Sequence, residues 1–159
     1  MERKQASFNM ALKKGEIGED IIRKYLESKG WIVYFPFTKN KAHYFDMLAT
    51  KDKEKVIALD VKSKARLNNW CAQGIDLRVY NQYMKFFNDT NIPFYLIFID
   101  EQTRDVHLCD LPKMKNYFNP NPKIIAWYLA DMQFMFNISN EEQERLKEFT
   151  QRNYEFNPT

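Results

Sequence analysis

The chain is poor in the side chains that hold soft metals. Among its 159 residues are two cysteines, Cys71 and Cys109, and two histidines, His43 and His107. No CxxC pair occurs, so zinc-ligand sets of thiolates and imidazoles are excluded. Two isolated cysteines are expected as free thiols in a reducing compartment rather than as a disulfide. No apolar run approaches the ~18 residues of a membrane-spanning helix. The first residues, MERKQASFNMALKK, lack the apolar core of a secretion signal. The expected location is therefore cytoplasmic, with no membrane partner. Lipidation motifs, repeats, low-complexity tracts and linkers are also missing. The net charge of +3 is a weak basic bias that permits an acidic partner without demanding one.

What is present fits one domain, residues 1–159, long enough to bury a proper core. Hydrophobic residues make up 45% and aromatics 16%, so the core should be rich in Phe and Tyr. Ile17, Ile21, Ile22, Tyr25 and Leu26 form one apolar stripe, predicting a helix from about Ala11 to Lys29. Gly30 suits its end. Gly18 lies inside the stripe and costs helix stability of roughly 1 kcal/mol against Ala, so close approach to a sheet is expected there. Residues 1–10 read as a polar arm or the start of that helix.

Strands are expected at Trp31–Phe35, Phe45–Thr50 and Val56–Lys64, the last two joined by the turn KDKEK. Residues 65–75 read as irregular. Asp76 can cap a helix over about Leu77–Asn88. FYLIFID after Pro93 suits a buried strand, and Asp105–Cys109 a short one. LPKMKNYF suits one or two helical turns. Lys123–Tyr128 and Met132–Ile138 read as strands, broken near Ala130–Asp131. Ser139 and Glu142 form a capping-box pattern opening a last helix to about Gln151. The order predicts an α/β fold with a mixed central β-sheet flanked by helices.

The stretch FDMLATKDKEKVIALDVKSK organises the chain. Strand side chains alternate faces, so Asp60 and Lys62 share one side while Leu59 and Val61 share the other. Asp46 lies one hairpin away. Two carboxylates and an amine at one edge of a hairpin suit a divalent cation with a lysine beside it. Phosphodiester hydrolysis needs a water made nucleophilic, charge neutralised on the phosphoryl oxygens and a stabilised leaving oxygen. Carboxylate-held Mg2+ (or Mn2+) supplies most of this, and a lysine can orient the water. A D-x-K triplet alone is usually a solvated face. The apolar neighbours in IALDVKS, the preceding aspartate and an acidic helix argue for more.

Helix Glu, then Asp, then Asp-x-Lys resembles the PD-(D/E)xK nuclease superfamily. The segment KGEIGEDIIRKYLESKGW most resembles its archaeal Holliday-junction resolvase branch, over roughly residues 13–65. Here the first strand reads Tyr44-Phe45-Asp46 rather than Pro-Asp, and the doublet carries Asp60 where resolvases often have Glu. The resemblance implies a restriction-endonuclease-like core and catalytic roles for Glu19, Asp46, Asp60 and Lys62, with the three carboxylates as metal ligands. It also implies a homodimer that acts on branched DNA, since symmetric cutting needs two sites on a two-fold axis. The aromatic segments FYLIFID and IIAWYLADMQFMF offer apolar surface for such an interface.

Helical geometry separates the two candidate glutamates. At ~100° per residue Glu19 falls about 20° from Leu26, on the margin of the apolar stripe. Glu16 falls on the solvent side. A bland alternative pairs Glu19 with Arg23 at i+4. Lys39, Lys41, Lys64 and Arg78 are candidate DNA-phosphate contacts, with His43, Gln73 and Tyr80 near the expected cleft. Tyr83 reads as core, Trp70 as a gap filler or base-stacking residue, and His107 as structural. Two competing readings stay open: a catalytically silent nuclease-fold protein that binds DNA or a protein partner, and a carboxylate-rich metal-binding protein. The lysine counts against the second.

Overall fold

A computed structural model describes residues 2–37, 43–53, 55–67 and 71–150 of the chain. Lys39, Lys41 and Trp70 lie outside these residues. Helix α1 spans Glu2–Ser28, so residues 2–10 begin the helix rather than precede it. Gly30, at φ 84°, closes it with Gly30 N–H donating to Glu27 O and Trp31 N–H to Leu26 O. That left-handed position suits glycine because it has no Cβ to clash.

Strands β1 (Ile32–Tyr34), β2 (Met47–Lys51) and β3 (Lys55–Ser63) form an antiparallel meander. Its second turn carries Asp52 and Lys53 at positive φ, the twist that tight hairpins favour. Next come β4 (Ala72–Asp76), α2 (Leu77–Thr90), β5 (Phe94–Ile99), β6 (Asp105–Asp110), β7 (Ile124–Tyr128), β8 (Gln133–Asn137) and α3 (Asn140–Lys147). Asp76 caps α2 by accepting the Arg78 N–H, and Ser139 with Glu142 forms the capping box of α3. Both caps agree with the sequence.

The main sheet has six strands in the order β1-β2-β3-β5-β6-β8. All neighbours are antiparallel except β3 and β5. One face packs Leu59, Val61, Ile97 and Ile99 against Ile21, Ile22 and Leu26 of α1 and Leu146 of α3. The other packs Ala58, Leu96 and Phe98 with Tyr83 of α2 and Ile125 and Trp127 of β7. This is the expected α/β architecture, a mixed central sheet flanked by helices. Burying a side chain such as Ile22 or Leu96 contributes roughly 1.5–3 kcal/mol.

Two expectations fail. Residues 65–75 are not wholly irregular, because Ala72–Asp76 pairs with β7 in a separate two-stranded ribbon. Its sequence, AQGID, carries no β-branched run, and pairing with IIAWY overrides the local signal. LPKMKNYF forms one turn at its start, where Asp110 O accepts the Lys113 and Met114 N–H groups, and no helix beyond it, and Phe118 bridges back to Ala126.

Candidate active site

The pairing of β2 with β3 ends at Met47↔Leu59. Beyond it the β2–β3 ladder stops, while β3 continues as Asp60–Ser63 against β5. The Asp46 N–H donates to Leu59 O, and Asp46 Oδ2 accepts the Val61 N–H at 2.7 Å. The Asp46 carboxylate thus takes the donor that a strand partner would otherwise take. The result is an opening in the strand ladder on the β2 side of β3.

Asp60 and Lys62 alternate with Leu59 and Val61, as the strand period requires. Lys62 Nζ stands 2.6 Å from Asp60 Oδ2, an ion pair with the carboxylate buried and the ammonium about one-third exposed. Oδ2 has no aligned hydrogen-bond donor among the described residues, so the contact is ionic rather than directional. Tyr83 of α2, buried at 4% exposure and stacked on Phe94, also faces Asp60. Burial first, then the charge of Asp60, hold the phenol protonated. The core reading of Tyr83 therefore stands, with a contact to the site that its apolar helical position does not reveal.

Glu19 enters from α1. Gly18 sits directly over β3, where an added Cβ would collide with Ser63 Oγ and touch Val61. That is the close approach expected at this glycine, and it brings the next residue to the opening. Glu19 does not depend on Arg23, which pairs with Asp20 and Glu27. Glu16 is exposed, as the helical-face argument requires.

The electrostatics follow from this crowding. Burial, then the charges of Asp46 and Asp60, push the Glu19 carboxyl up to about 7. Burial and Asp60 push Asp46 up to about 6, against the lowering effect of the Val61 N–H. Burial pulls the Lys62 ammonium down, but Asp60, Asp46 and Glu19 outweigh it and raise it. Three carboxyls share one ammonium, which leaves a demand for further positive charge.

Hard oxygen donors without thiolate or imidazole fit a divalent cation of the Mg2+ type. Among the described residues no three such side chains stand close enough to share one ion as they are. The donor chemistry and the unmet charge fit a cation, and Asp46 and Asp60 are the residues best placed to hold one.

Lys64 lies near Lys62, whose charge adds to burial in lowering its ammonium to about 8. It donates to Gly74 O and stands over the Phe98 ring. Gln73 is fully buried below it, with Nε2 3.4 Å from Lys64 O and Oε1 unpartnered among the described residues. Arg78 is exposed at the start of α2. Thus Glu19, Asp46, Asp60 and Lys62 converge with Lys64 beside them, and Arg78 stands apart. His107 packs edge-on against Phe134, and Cys71 and Cys109 are free thiols. No described helix is long and apolar enough to cross a membrane.

No family model matches the chain, and no curated protein matches it. Solved structures do. The Archaeoglobus fulgidus Hjc, a Holliday junction resolvase from an archaeal hyperthermophile, superposes with a TM-score of 0.55 at 12% identity, over 74% of this chain and 90% of that one. A bacterial homing endonuclease gives a TM-score of 0.45 at 16% identity, over 72% of each chain. The first likeness agrees with the fold expected from the sequence, a restriction-endonuclease-like core.

Proposed function

From that fold and opening, we propose that the chain is a Mg2+- or Mn2+-dependent endodeoxyribonuclease of the PD-(D/E)xK class, formed by a single domain over residues 1–159. The observation that carries the reading is the convergence of Glu19, Asp46, Asp60 and Lys62 where β2 and β3 part. A bound divalent cation would neutralise phosphoryl charge and make a water nucleophilic at neutral pH. Asp46 and Asp60 would hold it, with Glu19 completing the set. Asp46 is oriented by the Val61 N–H. Lys62, on the same strand face as Asp60, positions the attacking water and offsets charge on the phosphate. Lys64 contacts the backbone alongside the scissile phosphate.

The preferred substrate is branched DNA, cut by a homodimer with one site per protomer. The resolvase resemblance and the fold likeness support this. The tight Asp60–Lys62 ion pair favours the alternative, a silent nuclease-fold protein that binds DNA or a protein, because it occupies one carboxylate. Cleavage of linear, nicked and four-way DNA with Mg2+ and with EDTA, alongside sedimentation, separates these readings. Cutting that persists in excess EDTA would sink the metal mechanism. Equal cutting of linear and four-way DNA by a monomer would sink the resolvase reading alone.

A further inference from the structure

Away from the opening, two concavities meet beside the N-terminus of α2. One, about 620 Å³, is lined chiefly by Arg78, Asn81, Gln82 and Lys85 of α2, with Asp76 and Lys123. The other, about 610 Å³, runs from Lys64 past Gly74 and Asn121 to the same Asp76 and Lys123. The shared residues make them one trough, crossing the β4–β7 ribbon and turning along the helix. Its inner end, Lys64, stands close enough to Lys62 to feel its charge.

Arg78, Asn81, Gln82 and Lys85 fall at i, i+3, i+4 and i+7, a single helical face without an apolar residue. The opposite face carries Val79, Tyr83 and Met84 to the core. Four cations line the trough against one carboxylate, Asp76, which is already engaged by the Arg78 N–H. Lys85 has a rim pair with Asp89. Neither Arg78 nor Lys123 has an ion-pair partner among the described residues. A solvated helix face would share the composition, but it would not adjoin a second concavity that reaches Lys64 beside the candidate active site.

We propose that this trough, from Lys64 over Lys123 to Arg78 and Lys85, seats the sugar–phosphate backbone of one DNA strand leaving the active site. The inference rests on the nuclease reading and adds the path of the substrate. Seven residues of helix span about 10 Å, so Arg78 and Lys85 stand far enough apart to contact different phosphates of one strand. Asn81 and Gln82 lie between the cations as neutral donors to phosphate oxygens. The trough is far too small to enclose a duplex, so one of its two backbones is the fitting occupant.

The test is fluorescence anisotropy with a labelled duplex in EDTA, where nothing is cut, across a series of NaCl concentrations. Arg78→Ala with Lys123→Ala should weaken binding at low salt by tenfold or more. It should also flatten the slope of log K against log salt by about 2, near 0.9 per lost phosphate contact. Arg78→Lys should keep most of the slope. Lys24→Ala on α1, whose lysine pairs with Asp20, should change neither quantity. Wild-type binding with the double variant unaltered, or with Lys24→Ala equally weakened, overturns the trough and leaves the nuclease reading intact. A wild-type protein that binds no DNA at low salt overturns both, and a salt-sensitive acidic protein partner then becomes the occupant to seek.

Discussion

Two groups of charge flank the C-terminal end of β3, and they differ in how well they are satisfied. On the β5 side, Arg66 bonds Asp100 through Nε at 2.6 Å and Asp105 through Nη2 at 3.0 Å. Asp100 Oδ1 also accepts the Gln102 and Thr103 N–H groups. Glu101, 1% exposed, pairs with Lys14 and accepts from Thr150 Oγ1 through Oε2, while its Oε1 has no hydrogen-bond partner among the described residues. On the β2 side, Glu19, Asp46 and Asp60 share Lys62 alone among the described residues, and two of the three carboxyls are pushed toward neutrality. A structural network supplies donors to its carboxylates and locks a turn. A set left short of positive charge is poised for a cation or a proton.

The sharpest way to break this contrast is to remove one member from each side. Asp60→Asn or Lys62→Ala should lower cleavage by about 10²–10⁴-fold, the range of positioned acid–base and electrostatic groups. Thermal stability should change little. Glu19→Gln should cost far more activity than Glu16→Gln, and equal losses would remove Glu19 from the site. If Lys62→Ala keeps a near wild-type kcat, its role at the water is wrong. Asp100→Asn should do the reverse, costing about 1–3 kcal/mol of stability through the Arg66 guanidinium that loses its Oδ2 acceptor, while the amide oxygen can still accept the turn N–H groups. Chemical denaturation measures it, and a loss near zero would deny the network its structural role.

A pH series sharpens the comparison further. The folded values of about 7 for Glu19 and about 6 for Asp46 lie above their ordinary 4.5 and 3.8. Both groups bind a proton more tightly folded than unfolded, so protonation favours the native state. In EDTA, their contribution to stability should rise as pH falls from about 8 through 7 and 6. Glu19→Gln with Asp46→Asn should flatten that part of the melting-temperature profile. Added Mg2+ should raise the melting temperature more at pH 8 than at pH 6, since protons compete for the same oxygens. An identical pH slope in wild type and double variant would contradict the crowding account.

Much of this was legible in the sequence, because the relevant signals are local. Alternation in IALDVKS places Asp60 with Lys62, helical period separates Glu19 from Glu16, and two polar caps mark α2 and α3. The rest depends on contacts distant in sequence. The ribbon Ala72–Asp76 exists through IIAWY some 50 residues on, and nothing in AQGID announces it. Tyr83 reads as core from its helical position, and its link to Asp60 appears only when α2 lies across β3. The split between satisfied and unsatisfied carboxylates was equally hidden, since Asp100 and Asp60 both follow apolar strand residues.

Both groups hang from the same helix, which allows one further test. Lys14 and Glu19 lie about 7.5 Å apart along α1 by helical rise; one serves the network and the other the opening. Gly18 sets how deep the helix sits, because a Cβ there would strike Ser63 Oγ, while Val61 Cγ1 and Ser63 Cβ would be in ordinary contact. Gly18→Ala alone should therefore push α1 outward, lowering both the melting temperature and the cleavage rate, despite alanine's better helix propensity of about 1 kcal/mol. Ser63→Ala removes the obstructing oxygen, itself buried without a partner among the described residues. In that background Gly18→Ala should be tolerated and gain part of the propensity. A double-mutant cycle by thermal unfolding reads the coupling. Additive effects would mean that Gly18 does not govern the seating of the helix, and that Glu19 owes its position to something else.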